Sequence, residues 1–313
     1  MTLTRQDLKA DSPQMRGAVA FLAKIRDLGG MMNMREIFPK LTDAERAYLA
    51  PSQADESAVD ITSDTVDGIG VELLEPKTGK RPGILYYIHG GAFMYGDAEL
   101  SRPIAIDLAK VTGLTVCTIS YRLMPKDPFP AAVDDCTAVY RWLADRFAGE
   151  PIVIAGDSAG GNLTMVMALE GKRLGLPRPA ALVTYSLVGD FTGLPSWTEN
   201  ESSDVALGGQ NAGTAVARMY CNGHDPSDPR ISPNLGDLTG LPPLKIVVTT
   251  NELLRDDSLE LADKASAAGV DVDLQVWDGG FHAFPTYPTV ARLTPETDRV
   301  IRETGAFIRD ILA

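Results

Sequence analysis

Cysteine is scarce in this chain: Cys117, Cys136 and Cys221 are the only three among 313 residues, an odd number without CxxC spacing. That pattern indicates neither a disulfide framework nor a zinc knot. Long apolar runs are missing too, and no stretch of about 18 residues could cross a bilayer as a helix. The opening residues, Met1-Thr-Leu-Thr-Arg-Gln-Asp, are polar and hold no apolar segment of the secretory kind. A cytoplasmic, reducing location is expected, with Cys117 buried inside an apolar run. Positive charge is in deficit, 29 Lys and Arg against 42 Asp and Glu, for a net charge of −13. This argues against nucleic acid or an anionic membrane surface as partner. Internal repeats and low-complexity tracts are absent. Gly68-Ile-Gly70 lacks the third glycine of a dinucleotide fingerprint, and there is no G-K-[ST] loop, which sets nucleotide binding aside. No H-E-x-x-H pair is present, so no metal is expected. Histidine is as rare as cysteine, with His89, His224 and His282 the only three.

What is present is enough for a large core: 44% of residues are hydrophobic and 23% charged. Residues 1–55 read as helices, from Ala18-Val-Ala-Phe-Leu-Ala-Lys-Ile and from a segment opened by Thr42 or Asp43. Met31, Met32, Met34 and Phe38 lie between them as adaptable packing, or as a lid over a site. Val59–Ser63 and Gly70–Glu75 suggest a strand pair turning at Asp67-Gly68. Apolar runs at Ile84–Ile88, Thr115–Ile119, Pro151–Ala155, Ala180–Tyr185, Lys245–Thr249 and Asp271–Val276 alternate with helical segments. Such alternation implies an α/β fold with a mostly parallel sheet and right-handed crossovers. Between 190 and 228 the alternation breaks into loop-like sequence with a short helix, read as a cap insertion. The expected organisation is an N-terminal cap segment over 1–55, core over 56–189, cap insertion over 190–228, and core over 229–313.

One turn organises the rest. Gly156-Asp-Ser-Ala-Gly160 follows an apolar run and precedes a helical one, the setting of a G-x-S-x-G nucleophile elbow. The serine there occupies a strained turn in which side chains at the flanking positions would clash. The pentapeptide alone is weak evidence, but partners for Ser158 can be sought. His224 lies in a polar, turn-rich stretch. His89 ends an apolar strand before two glycines, suited to shaping a loop. His282, in Trp277-Asp-Gly-Gly-Phe-His-Ala-Phe284, remains as the base. For the orienting acid, Glu252 falls directly past the strand ending near Thr250, with Asp256 as second candidate; Asp256 and Asp257 suit a helix cap. The order Ser158, acid, His282 is that of α/β hydrolases and unlike chymotrypsin or subtilisin. His89-Gly-Gly-Ala-Phe-Met-Tyr-Gly96 would supply an oxyanion hole from the N–H groups of Gly90 and Gly91, joined by that of Ala159. Phe93, Met94, Tyr95 and Trp197 are the candidate substrate-binding residues.

Taken together, His89-Gly-Gly-Ala-Phe, Tyr121-Arg-Leu-Met-Pro, Gly156-Asp-Ser-Ala-Gly-Gly-Asn162, Asp228-Pro-Arg-Ile-Ser-Pro233 and Phe281-His-Ala-Phe284 resemble the bacterial hormone-sensitive-lipase family of α/β-hydrolase esterases over roughly residues 70–290. The resemblance implies an eight-stranded sheet, a helical cap, hydrolysis of a small-molecule carboxylic ester and no cofactor. Many relatives form homodimers, so a homodimer is one option here. Three positions depart from the family pattern. Ala92 stands where a third glycine is common, Lys126 replaces a usual glutamate, and Glu252 occupies the place of the usual aspartate. An amidase or lactonase on the same fold, and a non-catalytic ligand receptor, are the alternatives; receptors of that kind typically lose the base, which is retained here.

Overall fold

The computed structural model describes residues 2–28, 34–209 and 211–313. Met31 and Met32 lie outside the described residues, as does the side chain of Met34. In chain order the elements are β1 (Leu3–Lys9), α1 (Pro13–Asp27), α2 (Met34–Ile37), α3 (Asp43–Ala47), β2 (Val59–Val66), β3 (Ile69–Pro76), β4 (Ile84–Ile88), α4 (Arg102–Thr112), β5 (Thr115–Ser120) and α5 (Ala131–Arg146). They continue with β6 (Ile152–Asp157), α6 (Ala159–Leu174), β7 (Ala181–Tyr185), α7 (Ser196–Glu199), α8 (Ala212–Cys221), β8 (Leu244–Thr249), α9 (Arg255–Ala267), β9 (Val272–Asp278) and α10 (Pro295–Ile311).

The strands form one nine-stranded sheet in the order β1-β9-β8-β7-β6-β4-β5-β3-β2. Only β2 and β3 run antiparallel to their neighbours. Helices cover both faces, and the strand side chains alternate between them as the pleat requires. In β4, Tyr86 and Ile88 join a core cluster with Val139 of α5, Leu163 of α6 and Leu261 of α9. Leu85 and Tyr87 point the other way, toward Phe21 of α1, Leu108 of α4 and Ile301 of α10. The continuous apolar run of β4 thus records a strand with no wet face.

Two expectations change. Residues 1–55 are not wholly helical, because β1 pairs parallel with β9 from Leu3↔Val272 to Lys9↔Asp278 and adds a ninth strand to the expected eight. Its sequence, Leu-Thr-Arg-Gln-Asp-Leu-Lys, carries no apolar face. Backbone hydrogen bonds to a sheet edge hold it, and side-chain periodicity does not report those. The N-terminal helix α1 lies over the α4/α10 face. Its cap residue Ser12 gives its N–H and hydroxyl to Glu296 at the start of α10, at 2.8 and 2.7 Å. The far end of α1 meets the 190–228 segment, where Arg26 donates to the Ser202 carbonyl. Among the described residues no helix is long and apolar enough to cross a membrane.

Candidate active site

At the C-terminal end of β6 the chain turns sharply into the 16-residue helix α6. Ser158 makes that turn with φ 52° and ψ −118°, a strained backbone for a residue with a side chain. The glycines beside it are steric necessities. A Cβ on Gly160 would stand 2.0 Å from the Ile88 carbonyl oxygen, and one on Gly156 would stand 2.4 Å from that of Gly160. The elbow is held by Ser158 N–H donating to the Tyr185 carbonyl of β7 at 2.8 Å.

Two loops converge on this turn. After β9, the loop bearing His282 turns through Ala283 at φ 51°. After β8, the chain delivers Glu252. His282 Nδ1 lies 2.6 Å from Glu252 Oε2, with both residues buried. The other carboxylate oxygen, Oε1, accepts the Ser186 hydroxyl at 2.9 Å and the Thr249 N–H at 2.8 Å. A carboxylate accepts only, so Nδ1 carries the proton in this pair and Nε2 is left as the basic nitrogen. Burial pulls the His282 pKa down, but the Glu252 hydrogen bond and the charges of Glu252, Asp204 and Asp157 outweigh it. The net shift is upward from the ordinary 6.5. No hydrogen bond joins Ser158 to His282 among the described residues, and such contacts often tighten only around bound substrate.

Asp256 does not share this position. It sits in the first turn of α9, accepting the Ser196 N–H at 3.0 Å and Arg255 Nε at 2.7 Å. Asp257 is not a cap either. It is fully buried and takes three donors from the 190–228 segment and its approach: Gly189 N–H at 2.7 Å, Asp190 N–H at 3.0 Å and Trp197 Nε1 at 2.7 Å. Burial, only partly offset by those bonds, pushes its carboxyl up to about 7.

The glycine loop after β4 differs from expectation in one donor. Gly90 N–H is taken by the Asp157 carboxylate at 3.1 Å, an oxygen that also accepts the Tyr87 hydroxyl at 2.5 Å. The N–H groups of Gly91 and Ala92 have no intramolecular acceptor among the described residues, and Ala159 opens α6, where the first N–H groups lack helical partners. Gly91 must be glycine, since its φ is 101° and a Cβ would lie 2.0 Å from the Tyr95 carbonyl oxygen. Ala92 at φ 55° tolerates the left-handed region at some cost.

His89 shapes this loop. Its Nδ1 meets the Gly90 carbonyl at 2.7 Å and its ring stacks on Tyr121 at 4.2 Å. Burial lowers its pKa to about 4, so it stays neutral. His224 is exposed and touches Phe129 edge-on. Of the four residues expected to line a substrate pocket, Phe93 and Trp197 are buried in an aromatic cluster with Phe191 and Tyr220. Phe93 stacks on Tyr220 at 3.7 Å. Met94 is half-buried, and Tyr95 is 62% exposed. Sequence reasoning passed over Ser186, Asp157 and Asp204. Ser186 follows a strand end, Asp157 ends β6 inside the elbow motif and Asp204 lies in a loop, and none of these positions by itself marks the contacts its side chain makes.

Residues 85–286 match the family model described as alpha/beta hydrolase fold. An acetyl-hydrolase of Streptomyces hygroscopicus is 39% identical over 230 residues, covering 72% of this chain and 75% of that protein. The structure of the hormone-sensitive-lipase homolog EstE7 from a metagenome library is 33% identical with a TM-score of 0.82, covering 97% of this chain and 100% of the other. EstE5 soaked with p-nitrophenyl butyrate is 30% identical with a TM-score of 0.83, over 96% of this chain and 99% of that one. The sheet, elbow and converging loops define an α/β hydrolase. Within that class the chain belongs to the hormone-sensitive-lipase-like carboxylesterases.

Proposed function

We propose that the protein hydrolyses short- to medium-chain acyl esters through an acyl-enzyme, with Ser158 as nucleophile, His282 as base and Glu252 as orienting acid. The observation that carries this reading is the buried 2.6 Å contact between His282 Nδ1 and Glu252 Oε2 beside the serine elbow. That contact leaves Nε2 free to take the Ser158 proton as Oγ attacks the ester carbonyl. The imidazolium then forms against a carboxylate whose remaining oxygen is already satisfied. Gly91, Ala92 and Ala159 N–H groups receive the oxyanion, Gly90 being committed to Asp157. His282 returns the proton to the leaving alcohol, and water, activated by the same imidazole, releases the acid.

With β1 placed in the sheet, the remainder of residues 1–55 and residues 190–228 together form the cap in this proposal, a reading supported by the Arg26 to Ser202 contact. The short-chain preference is favoured by the likeness to an acetyl-hydrolase and to EstE5, the latter soaked with a butyryl ester. Hydrolysis of p-nitrophenyl esters from about two to sixteen carbons, with Ser158→Ala alongside, tests both points. A short-chain optimum lost in the variant is the expected result. A flat profile, or turnover surviving in Ser158→Ala, would overturn the reading.

A further inference from the structure

The segment leaving β7 bonds to Ser158, to Glu252 and to the residue that follows His282. The Tyr185 carbonyl accepts the N–H of Ser158 at 2.8 Å. The next residue, Ser186, donates its hydroxyl to Glu252 Oε1 at 2.9 Å and accepts the Ala283 N–H, directly after His282, at 3.0 Å. One hydroxyl therefore spans the acid and the histidine loop, using its single proton toward the carboxylate and a lone pair toward the backbone. The residue is 2% exposed, so water does not replace either bond. Its backbone lies at φ 51°, a conformation a non-glycine residue keeps only where its surroundings hold it. The Ser186 N–H is in turn fixed to the Val247 carbonyl of β8 at 2.8 Å, the strand that leads to Glu252.

We propose that Ser186 is a positioning residue that sets the Glu252 carboxylate against His282 and locks the histidine loop to it. This deepens the triad proposed above and rests on it. Glu252 is one methylene longer than an aspartate and gains a rotatable bond, so its carboxylate needs a second fixed point. Ser186 and the Thr249 N–H supply it at Oε1, leaving Oε2 to face the imidazole. Without the hydroxyl, the Ala283 N–H and one carboxylate lone pair are buried unpaired, and the histidine loop loses its tie to the acid. Both bonds of the buried Ser186 hydroxyl go to the protein, so its effect is expected on turnover and not on binding.

The test is a cycle of Ser186→Ala, Glu252→Ala and the double variant in the full chain, with kcat and KM measured on p-nitrophenyl acetate and folding followed by circular dichroism. Ser186→Ala is expected to lower kcat by about ten- to a hundredfold while KM stays within about twofold. In the Glu252→Ala background the same substitution is expected to remove less than about threefold more, because its route to the chemistry is already gone. Ser186→Gly accommodates φ 51° without strain and should lose as much as Ser186→Ala; it replaces that variant if alanine does not fold. Unchanged kcat in either single Ser186 variant, or a fully additive loss in the double variant, would overturn the proposal. A fully active Glu252→Ala protein would instead overturn the triad itself, and that single variant reads this separately.

Discussion

Glu252 and His282 meet at 2.6 Å in a place water scarcely reaches, with 1% and 5% of their surfaces exposed. Three loops must close to bring them there, those after β7, β8 and β9. The same contact raises the histidine pKa and fixes which ring nitrogen carries the proton. The expected consequences of this arrangement follow for each part of the site.

Removal of the proposed nucleophile should be the most severe change. Ser158→Ala should lower kcat by on the order of 10⁶ while the protein stays folded. Alanine keeps the Cβ and with it the strain of the φ 52° turn, so thermal stability should move little. Stopped-flow or steady-state ester hydrolysis checks the first outcome and calorimetry the second.

The two acids separate cleanly. Glu252→Gln should cost about 10³–10⁴ in kcat, because an amide neither stabilises the imidazolium nor enforces the useful tautomer. Asp256→Asn should leave kcat within about threefold, since Asp256 bonds Ser196 and Arg255 and not His282. Kinetics of the two variants on one ester substrate decides between them.

The pH dependence follows from the raised pKa of His282. As the proposed base, His282 must be neutral to act, so kcat/KM should rise along an acid limb whose midpoint lies above 6.5. Glu252→Gln removes the carboxylate's upward pull on His282 while burial remains, so the limb should move to lower pH. Stability runs the opposite way. A histidine whose folded pKa is raised contributes stability that is fully present below its unfolded value and is lost as pH rises through the folded one. A pH–rate profile of both proteins tests the first two statements, and chemical denaturation across the same range tests the third.

Asp257 makes a second pH prediction. Its folded pKa, about 7, lies above the ordinary 3.8, so the fold binds a proton that the unfolded chain releases. Stability contributed by this group should therefore fall as pH rises from about 4 to about 7. Asp257→Asn should flatten that slope and, by losing an acceptor for Trp197 Nε1, loosen the start of the 190–228 segment. Melting temperature against pH, with Trp197 fluorescence, reads both effects.

The oxyanion loop gives a paired contrast. Gly91→Ala forces a Cβ to within 2.0 Å of the Tyr95 carbonyl oxygen at φ 101°, and should cost on the order of 10²–10³ in kcat by displacing a donor. Ala92→Gly relaxes a residue at φ 55° and keeps its N–H, so activity should stay within about threefold. Measuring kcat for both variants isolates donor position from side-chain identity.

Several features were legible before any coordinates. The elbow could be read because steric crowding against Ile88 and Gly160 leaves only glycine at two positions flanking Ser158, and such demands are written in residue identity. His282 could be reached by elimination among three histidines. The core strands could be read because helices on both faces make them apolar throughout.

Other features became decidable only once the chain was folded. Strand β1 has a polar sequence and is specified by the backbone of β9, a partner some 270 residues away. Sequence position favoured Glu252 over Asp256 without excluding the second, and the direction of the turn after β8 takes Glu252 to His282 and Asp256 to Ser196. Gly90 reads like an oxyanion donor until Asp157 is seen to hold its N–H. Phe93 and Trp197 read like pocket walls until Tyr220 and Asp257 enclose them. By itself, the sequence determined which residues could perform the chemistry, because local sterics and composition restrict them. The tertiary structure alone decided which of them meet, because a hydrogen bond depends on where two distant segments end, and no local pattern encodes that.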